Sequence, residues 1–365
     1  MANDQAIPKK DTINKHEASK EPTTLKPITS LTLIINYICR IHCSTKAHTK
    51  LMPELCQKGC GYLCNQCEEN SSKLASVYVT NQTTLCYHHV LNMFKVVVHY
   101  FFGHDLILYN CLTSKKKVVT LDKCIDNYSS SISYNGRIFV MGGSLIVNGR
   151  EQDELIGEVY EINIMTRKLI PKADMLTPIC NHSLCILDKE IYSISGFDHR
   201  ADKVCQKYSI NHNKWNYLPN LHESRAGCAA FVYKSDVYAL GGCDQKMTME
   251  KWKKSQPIAW VYVKLSNKFT PRFNLQAIPI NETTVLAFGG YGQKENRFRQ
   301  ESYLVDMNDD CVSCTEGSIM MEHKGFKNEA PVFDGENVYA IDTYKWIHIY
   351  SVNTKKWTII DHKLQ

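Results

Sequence analysis

The chain has no long apolar run. Met1 to Thr24 is polar and holds no hydrophobic core of the kind a secretory signal needs. The longest apolar stretch near the start, Leu31 to Cys39, is too short to span a bilayer and contains Asn36. The expectation is a protein without signal or membrane segment, located in the cytoplasm. An excess of one charge is also missing: 43 Lys and Arg against 37 Asp and Glu leave a formal net charge of +6 over 365 residues. That makes no case for nucleic acid, whose binders concentrate basic residues on one face. Neither nucleic acid nor a membrane is expected as a partner.

What is plentiful is cysteine, at 16 residues. In a reducing compartment these are thiols or metal ligands rather than disulfides. The sequons at Asn81, Asn181 and Asn281 then stay unmodified, because glycosylation needs the secretory route. Residues 1–30 are rich in Lys, Glu, Thr and Pro and cannot bury enough apolar surface to offset chain entropy, so they are expected to form a flexible tail.

Residues 39–90 hold a crowd of soft ligands: Cys39, Cys43, Cys56, Cys60, Cys64, Cys67 and Cys86, with His42, His48, His88 and His89. The order Cys43…His48-x7-Cys56-x7-Cys64-x2-Cys67 resembles the B-box zinc finger. The resemblance implies zinc held by four tetrahedral sulfur or nitrogen ligands. Carried over, a first site takes Cys43, His48, Cys64 and Cys67, and a second begins with Cys56 and Cys60. Cys39-x2-His42 is a rival opening pair, and Lys73 stands near the place where the family has its first closing histidine. A catalytic zinc needs an open position with an acid or base beside it, which this stretch does not supply, so the zinc is expected to be structural. B-box ligases usually carry a RING finger before this module and a long coiled coil after it. Neither fits before Cys39 or between Cys67 and Phe94.

Residues 94–361 carry a repeat. Short apolar strands ending in glycine recur at Arg137–Gly143, Glu190–Gly196, Asp236–Gly242 and Val285–Gly290. A tyrosine follows in the next strand, and the series Tyr109, Tyr160, Tyr208, Tyr262, Tyr303, Tyr350 steps by 51, 48, 54, 41 and 47 residues. Three of these lead to an aromatic seven residues on, as Tyr208–Trp215, Tyr262–Phe269 and Tyr350–Trp357. Strand, double glycine, tyrosine and tryptophan at a period near 50 resemble the kelch repeat, each copy being one four-stranded propeller blade. Such a blade is apolar on both faces and is stable only when stacked against others around a closed ring. The expected fold is all-β: a six-bladed kelch-type β-propeller with a small zinc-binding module before it. The first strand of the first blade is expected from about Leu85 to Leu91 or from elsewhere. Blade two is expected to carry an insertion at Ser144–Leu155 and blade four one at Cys243–Pro257.

A rigid scaffold with variable loops is the usual layout of a binding surface. The loops around 148–154, 198–203, 246–254 and 294–299 are the expected docking sites. Arg225, Trp252, Lys253, Lys254, Arg297 and Arg299 are the expected contacts to a partner of acidic character, with Trp252 as anchor. No catalytic residues are assigned. Sialidase-like propellers carry Ser-x-Asp-x-Gly-x-x-Trp and iron-dependent kelch proteins carry Glu-x3-Asp-x3-His, and neither pattern occurs. His199 beside Asp198 reads as polar surface, and Cys311-x2-Cys314 as two half-buried thiols. The expected function is non-catalytic protein binding. The alternatives are a substrate-recruiting subunit of a multi-chain ubiquitin ligase and a propeller metalloenzyme.

Overall fold

Apolar runs bounded by turn residues become strands throughout, and no helix occurs among the described residues. The structure is a computed structural model. It describes residues 78–80, 83–85 and 97–360, apart from 112–114, 126–127, 135–136, 148–149, 164–165, 198–202, 244–247, 266–268, 271, 293, 308–310, 321–324 and 327–328. The chain divides into two units, Met1–His89 and Val90–Gln365. In the first, β1 (Tyr78–Thr80) and β2 (Thr83–Leu85) pair as an antiparallel hairpin. The expected zinc ligands Cys43, His48, Cys56, Cys60, Cys64 and Cys67 lie outside the described residues, as does the expected first propeller strand beyond Leu85.

The second unit is a series of antiparallel meanders. The first is β3 (Val97–Phe102), β4 (Asp105–Asn110) and β5 (Lys115–Thr120). The next is β6 (Ser130–Tyr134) and β7 (Arg137–Met141), continued after a ribbon of β8 (Ser144–Val147) and β9 (Arg150–Leu155) by β10 (Val159–Asn163) and β11 (Lys168–Pro171). Then follow β12 (Ser183–Leu187), β13 (Glu190–Ile194), β14 (Cys205–Ser209) and β15 (Lys214–Tyr217). The run β16 (Ala229–Tyr233), β17 (Asp236–Leu240), β18 (Met249–Trp252) and β19 (Trp260–Leu265) comes next. After it come β20 (Phe273–Pro279), β21 (Thr284–Gly292), the short β22 (Arg297–Phe298), β23 (Glu301–Asp306) and β24 (Cys311–Ile319). β19 and β24 pair in parallel through Lys264–Cys311 and Leu265–Val312, which joins these two runs into one nine-stranded sheet. The last meander is β25 (Val332–Phe333), β26 (Asn337–Ile341), β27 (Ile347–Ser351) and β28 (Lys356–Ile360).

The arrangement is propeller-like. β6, β12, β16 and β20 lie side by side, so the first strands gather around an axis and the later ones fan outward. The second strands carry the packing. Ile138 and Val140 of β7 join one apolar cluster while Phe139 and Met141 join the next. A strand covered by a neighbouring sheet on both faces has to be apolar at every position rather than at alternate ones, and β13, β17 and β26 show the same buried run. Outermost strands read differently: β15 and β28 bury one aromatic each, Trp215 and Trp357, and expose most of the rest. The described core falls into six clusters, each bridging successive meanders. The one formed by Val98, Tyr100, Ile107 and Tyr109 with Tyr339, Ile341 and Ile347 bridges the last meander and the first.

The glycines at strand ends serve close approach. Gly242 has φ +107, and a Cβ there would lie 2.7 Å from the Arg225 Cα. Ser195 takes the first-glycine position in the third run at φ 54, and Asp342 takes it in the last.

Tyr109, Tyr160, Tyr208, Tyr303 and Tyr350 occupy the matching strands β4, β10, β14, β23 and β27. The expected ring pairs form at 5.3 Å for Tyr208–Trp215 and 5.1 Å for Tyr350–Trp357. Tyr262 is the exception. β18 lies inside what reads as an insertion, so the third strand is β18 and the aromatic in the tyrosine's place is Trp252. Trp252 packs on Tyr192 at 5.7 Å, as Tyr208 packs on Phe139 at 6.3 Å. Trp260 then stands where Trp215 does: its Nε1 donates to the Pro219 carbonyl at 2.8 Å, and that of Trp215 to the Ala173 carbonyl at 2.8 Å. Tyr262 itself is 53% exposed.

Candidate functional site

An up-and-down meander places its first-to-second and third-to-fourth turns at one end. Its second-to-third connection and the link to the next meander lie at the other. Side-by-side packing of the first strands brings like ends together, giving a turn face and a loop face. Contacts between meanders agree. On the turn face, Tyr233 donates to the Glu282 carbonyl at 2.6 Å, and Lys254 pairs with Asp188. On the loop face, Lys345 of the β26–β27 connection lies 3.2 Å above the Phe102 ring at the end of β3.

The loop face is held by buried arginines. Arg225, in the link before β16, donates from one guanidinium nitrogen to the Gly241 carbonyl at 3.0 Å and the Thr248 carbonyl at 2.9 Å, and from Nε to Glu250 at 2.8 Å. Burial alone would raise the Glu250 carboxyl. Hydrogen bonds from the His222 amide, Arg225 and the His222 ring hold it below the ordinary carboxylate value instead. Arg272, in the link before β20, repeats the arrangement, donating to the Gly289 carbonyl at 3.0 Å and the Glu301 carbonyl at 2.8 Å. Without a bonded carboxylate oxygen, burial pulls its pKa down to about 10. Each arginine thus ties a link to the first glycine of the following Gly-Gly pair. Sequence reading found Arg225 and missed Arg272, although Arg-Ala-Gly at 225–227 and Arg-Phe-Asn at 272–274 share the spacing.

Around these clamps the loop face exposes aromatic rings: Phe102 at 60%, Tyr344 at 55%, Tyr128 at 51% and Phe197 at 47%. Tyr128 and Phe197 flank the axis, since the Asn181 amide donates to the Tyr128 carbonyl at 2.9 Å and Cys180 and Phe197 bond reciprocally. Asn181 reaches across to Asn274 at 3.4 Å. Within the axis lies a small cavity, about 30 Å³, lined by His182, Ser183, Cys228, Asn274, Gln276 and Glu329 among others. Neither ring nitrogen of His182 has a hydrogen-bond partner, and burial lowers its pKa to about 3, so the ring is neutral. Among the described residues no group of three or more His, Cys, Asp or Glu is placed to hold a metal ion.

The expected contact residues do not converge. Trp252 is 4% exposed and serves the core, so it is not a surface anchor. Arg225 is fully buried in its clamp, and Arg299 is 6% exposed and pairs with Glu295 at 2.5 Å. Arg297 is exposed on the loop face and pairs with Glu301 at 2.7 Å. Lys253 and Lys254 are exposed on the turn face. The basic cluster read from sequence is therefore split between opposite faces, because β18 ends at Trp252 and turns the following lysines away from the loop end. Of the expected docking loops, 148–154 falls largely in the β8–β9 ribbon, and 198–202, with Asp198 and His199, lies outside the described residues. Cys314 is buried. The loop-face aromatics had no sequence signal of their own, since each is one aromatic in a connection of irregular length.

Fold and face together define an all-β protein with a propeller-like arrangement and a loop face rich in aromatic rings. A family profile described as "Kelch motif" matches residues 178–222. The chain is 26% identical over 142 residues to "Kelch repeat and BTB domain-containing protein 2" of Horsepox virus, covering 38% of this chain and 25% of that protein. It is 23% identical over 188 residues to human "Kelch-like protein 23", covering 50% and 31%. It is 23% identical over 118 residues to "F-box/kelch-repeat protein SKIP30" of Arabidopsis thaliana, covering 30% and 34%. These matches support a kelch-repeat family. The chain spans about a quarter to a third of the length of these relatives.

Proposed function

We propose that residues 97–360 form a closed ring of six blades that acts as a non-catalytic protein-binding scaffold, with the partner seated on the loop face. The observation that carries this reading is the set of exposed rings Phe102, Tyr128, Phe197 and Tyr344 on one face. Exposed aromatics on a rigid frame are the residues that anchor interfaces. Closure is supported by the apolar cluster shared between β3–β4 and β26–β27. In a pull-down with the full chain, replacing Phe102, Phe197 and Tyr344 by serine should cut recovery of the specific partner at least tenfold, at ~1 kcal/mol or more per anchor. Undiminished recovery would remove the loop face from the account.

A second reading has support in the relatives' names, which join kelch repeats to BTB or F-box domains: recruitment of substrates to a multi-chain ubiquitin ligase. The module at 39–90 is proposed to bind zinc through Cys43, His48, Cys64 and Cys67, with Cys56 and Cys60 opening a second site. Protein purified without chelator should carry about one to two zinc ions per chain by elemental analysis, and metal-free protein would rule the module out.

A further inference from the structure

The turn face differs chemically from the loop face. Its third-to-fourth-strand turns carry cations in them or beside them: Arg167, Lys253 and Lys355 within the turns, Lys214 opening β15 and Lys116 second in β5, each exposed. Several have a second cation beside them, as in the runs 115–117, 167–168 and 355–356. None of the five named forms an ion pair with another described residue. Exposed acids on this face are fewer among the described residues: Asp188, already paired with Lys254, and Glu282, Asp306 and Glu336. The turn between β23 and β24 breaks the series, reading Asn308-Asp309-Asp310. Cations therefore recur at or beside five of the six third-to-fourth-strand turns.

One of these turns carries a second signal. The β18–β19 connection, residues 253–259, is exposed at every position. At its tip Ile258 is 86% exposed, more than any other large hydrophobic among the described residues. It stands next to Pro257 and a few residues from Lys253 and Lys254. An isoleucine so exposed is hardly packed against the described residues and is flanked by the charge that an anionic surface attracts.

We infer that the turn face is a peripheral docking surface for a membrane leaflet containing anionic lipid, with the lysine rim facing the headgroups and Ile258 entering the acyl boundary. The cations sit in or beside the turns at one end of the meanders. A plane can meet all of them together, whereas a rod-like duplex crosses only a chord. The exposed aromatics that could stack on unpaired bases lie on the opposite face. An apolar tip among lysines adds burial in lipid and has no counterpart in phosphate-backbone binding, which is electrostatic. Anionic lipid is concentrated in the cytoplasmic leaflet, where basic clusters are attracted to it. Docking in this way would leave the loop face pointing into solution, free for a protein partner.

The test is co-sedimentation of the full chain with vesicles of phosphatidylcholine alone and of phosphatidylcholine with phosphatidylserine, at low and high salt. Binding should require phosphatidylserine and weaken with salt. Each reversal among Lys116→Glu, Arg167→Glu, Lys214→Glu, Lys253→Glu and Lys355→Glu should lower it about fivefold or more. Ile258→Asp should lower it without changing the net charge of the rim by more than one. The loop-face pair Lys203→Glu and Arg297→Glu should leave it unchanged, and unaltered thermal melting would show each variant folded. Equal binding to both vesicle types, binding unmoved by the rim reversals, or tighter rim-dependent binding to duplex DNA than to vesicles would each overturn the inference.

Discussion

At the scale of single residues, two buried histidines set the response to acid. His99 bonds Ser131 at 2.9 Å and His182 lines the axial cavity, and burial lowers their pKa values to about 4 and about 3. An unfolded histidine titrates near 6.5, so the unfolded chain takes up protons that the folded chain refuses. Their contribution to stability is complete above the unfolded value and declines as pH falls through the window between about 6.5 and the folded values, by about 1.4 kcal/mol per pH unit for each histidine. Urea unfolding measured from neutral pH to about pH 5 should show this loss, and His182→Leu should reduce the slope by about one proton. A slope unaffected by that change would contradict the burial argument. Glu250 adds a second, lower window. Its depressed carboxyl stabilises the fold above the unfolded carboxylate value, and that contribution disappears as pH drops through the folded one.

At the scale of the element, the aromatic beat shows where sequence reading succeeds and where it slips. Tyr208–Trp215 and Tyr350–Trp357 were legible because a short turn fixes the spacing between the third and fourth strands. In the fourth run that turn is 253–259 and the third strand is only Met249–Trp252. The period then lands on Tyr262, one strand too far out. A tryptophan can fill the space between sheets that tyrosine fills elsewhere, and spacing alone cannot tell which aromatic faces inward. Trp252→Ala should therefore cost about 3–5 kcal/mol as a buried large-to-small change, while Tyr262→Ser should cost within about 0.5 kcal/mol as a surface one. The reverse order in chemical denaturation would restore the original register. The arginine clamps were half legible for a related reason: Arg225 precedes a glycine, whereas Arg272 precedes Asn274 at φ 52, a substitution that hides the motif.

At the scale of the whole molecule, the period fixed the sequence of sheets, while the faces emerged only from topology. Lysines at 253–254 and arginines at 297–299 look alike along the chain, yet one group follows a third strand and the other a second, so they emerge on opposite sides. The division leaves one face aromatic and the other cationic. Both readings depend on the sheets closing into a ring, since an open array would leave the outer faces of the first and last sheets to solvent and splay the turns. The contact that would close it is the packing of Val98, Tyr100 and Tyr109 against Tyr339, Ile341 and Ile347. Hydrogen–deuterium exchange read by mass spectrometry tests it directly. In a closed ring, amides of β3 and β26 are expected to be protected as long as those of β13 and β17 in the middle of the series. Rapid exchange confined to β3–β5 and β25–β28 would mean that the ring is open, and the account of both faces would fail with it.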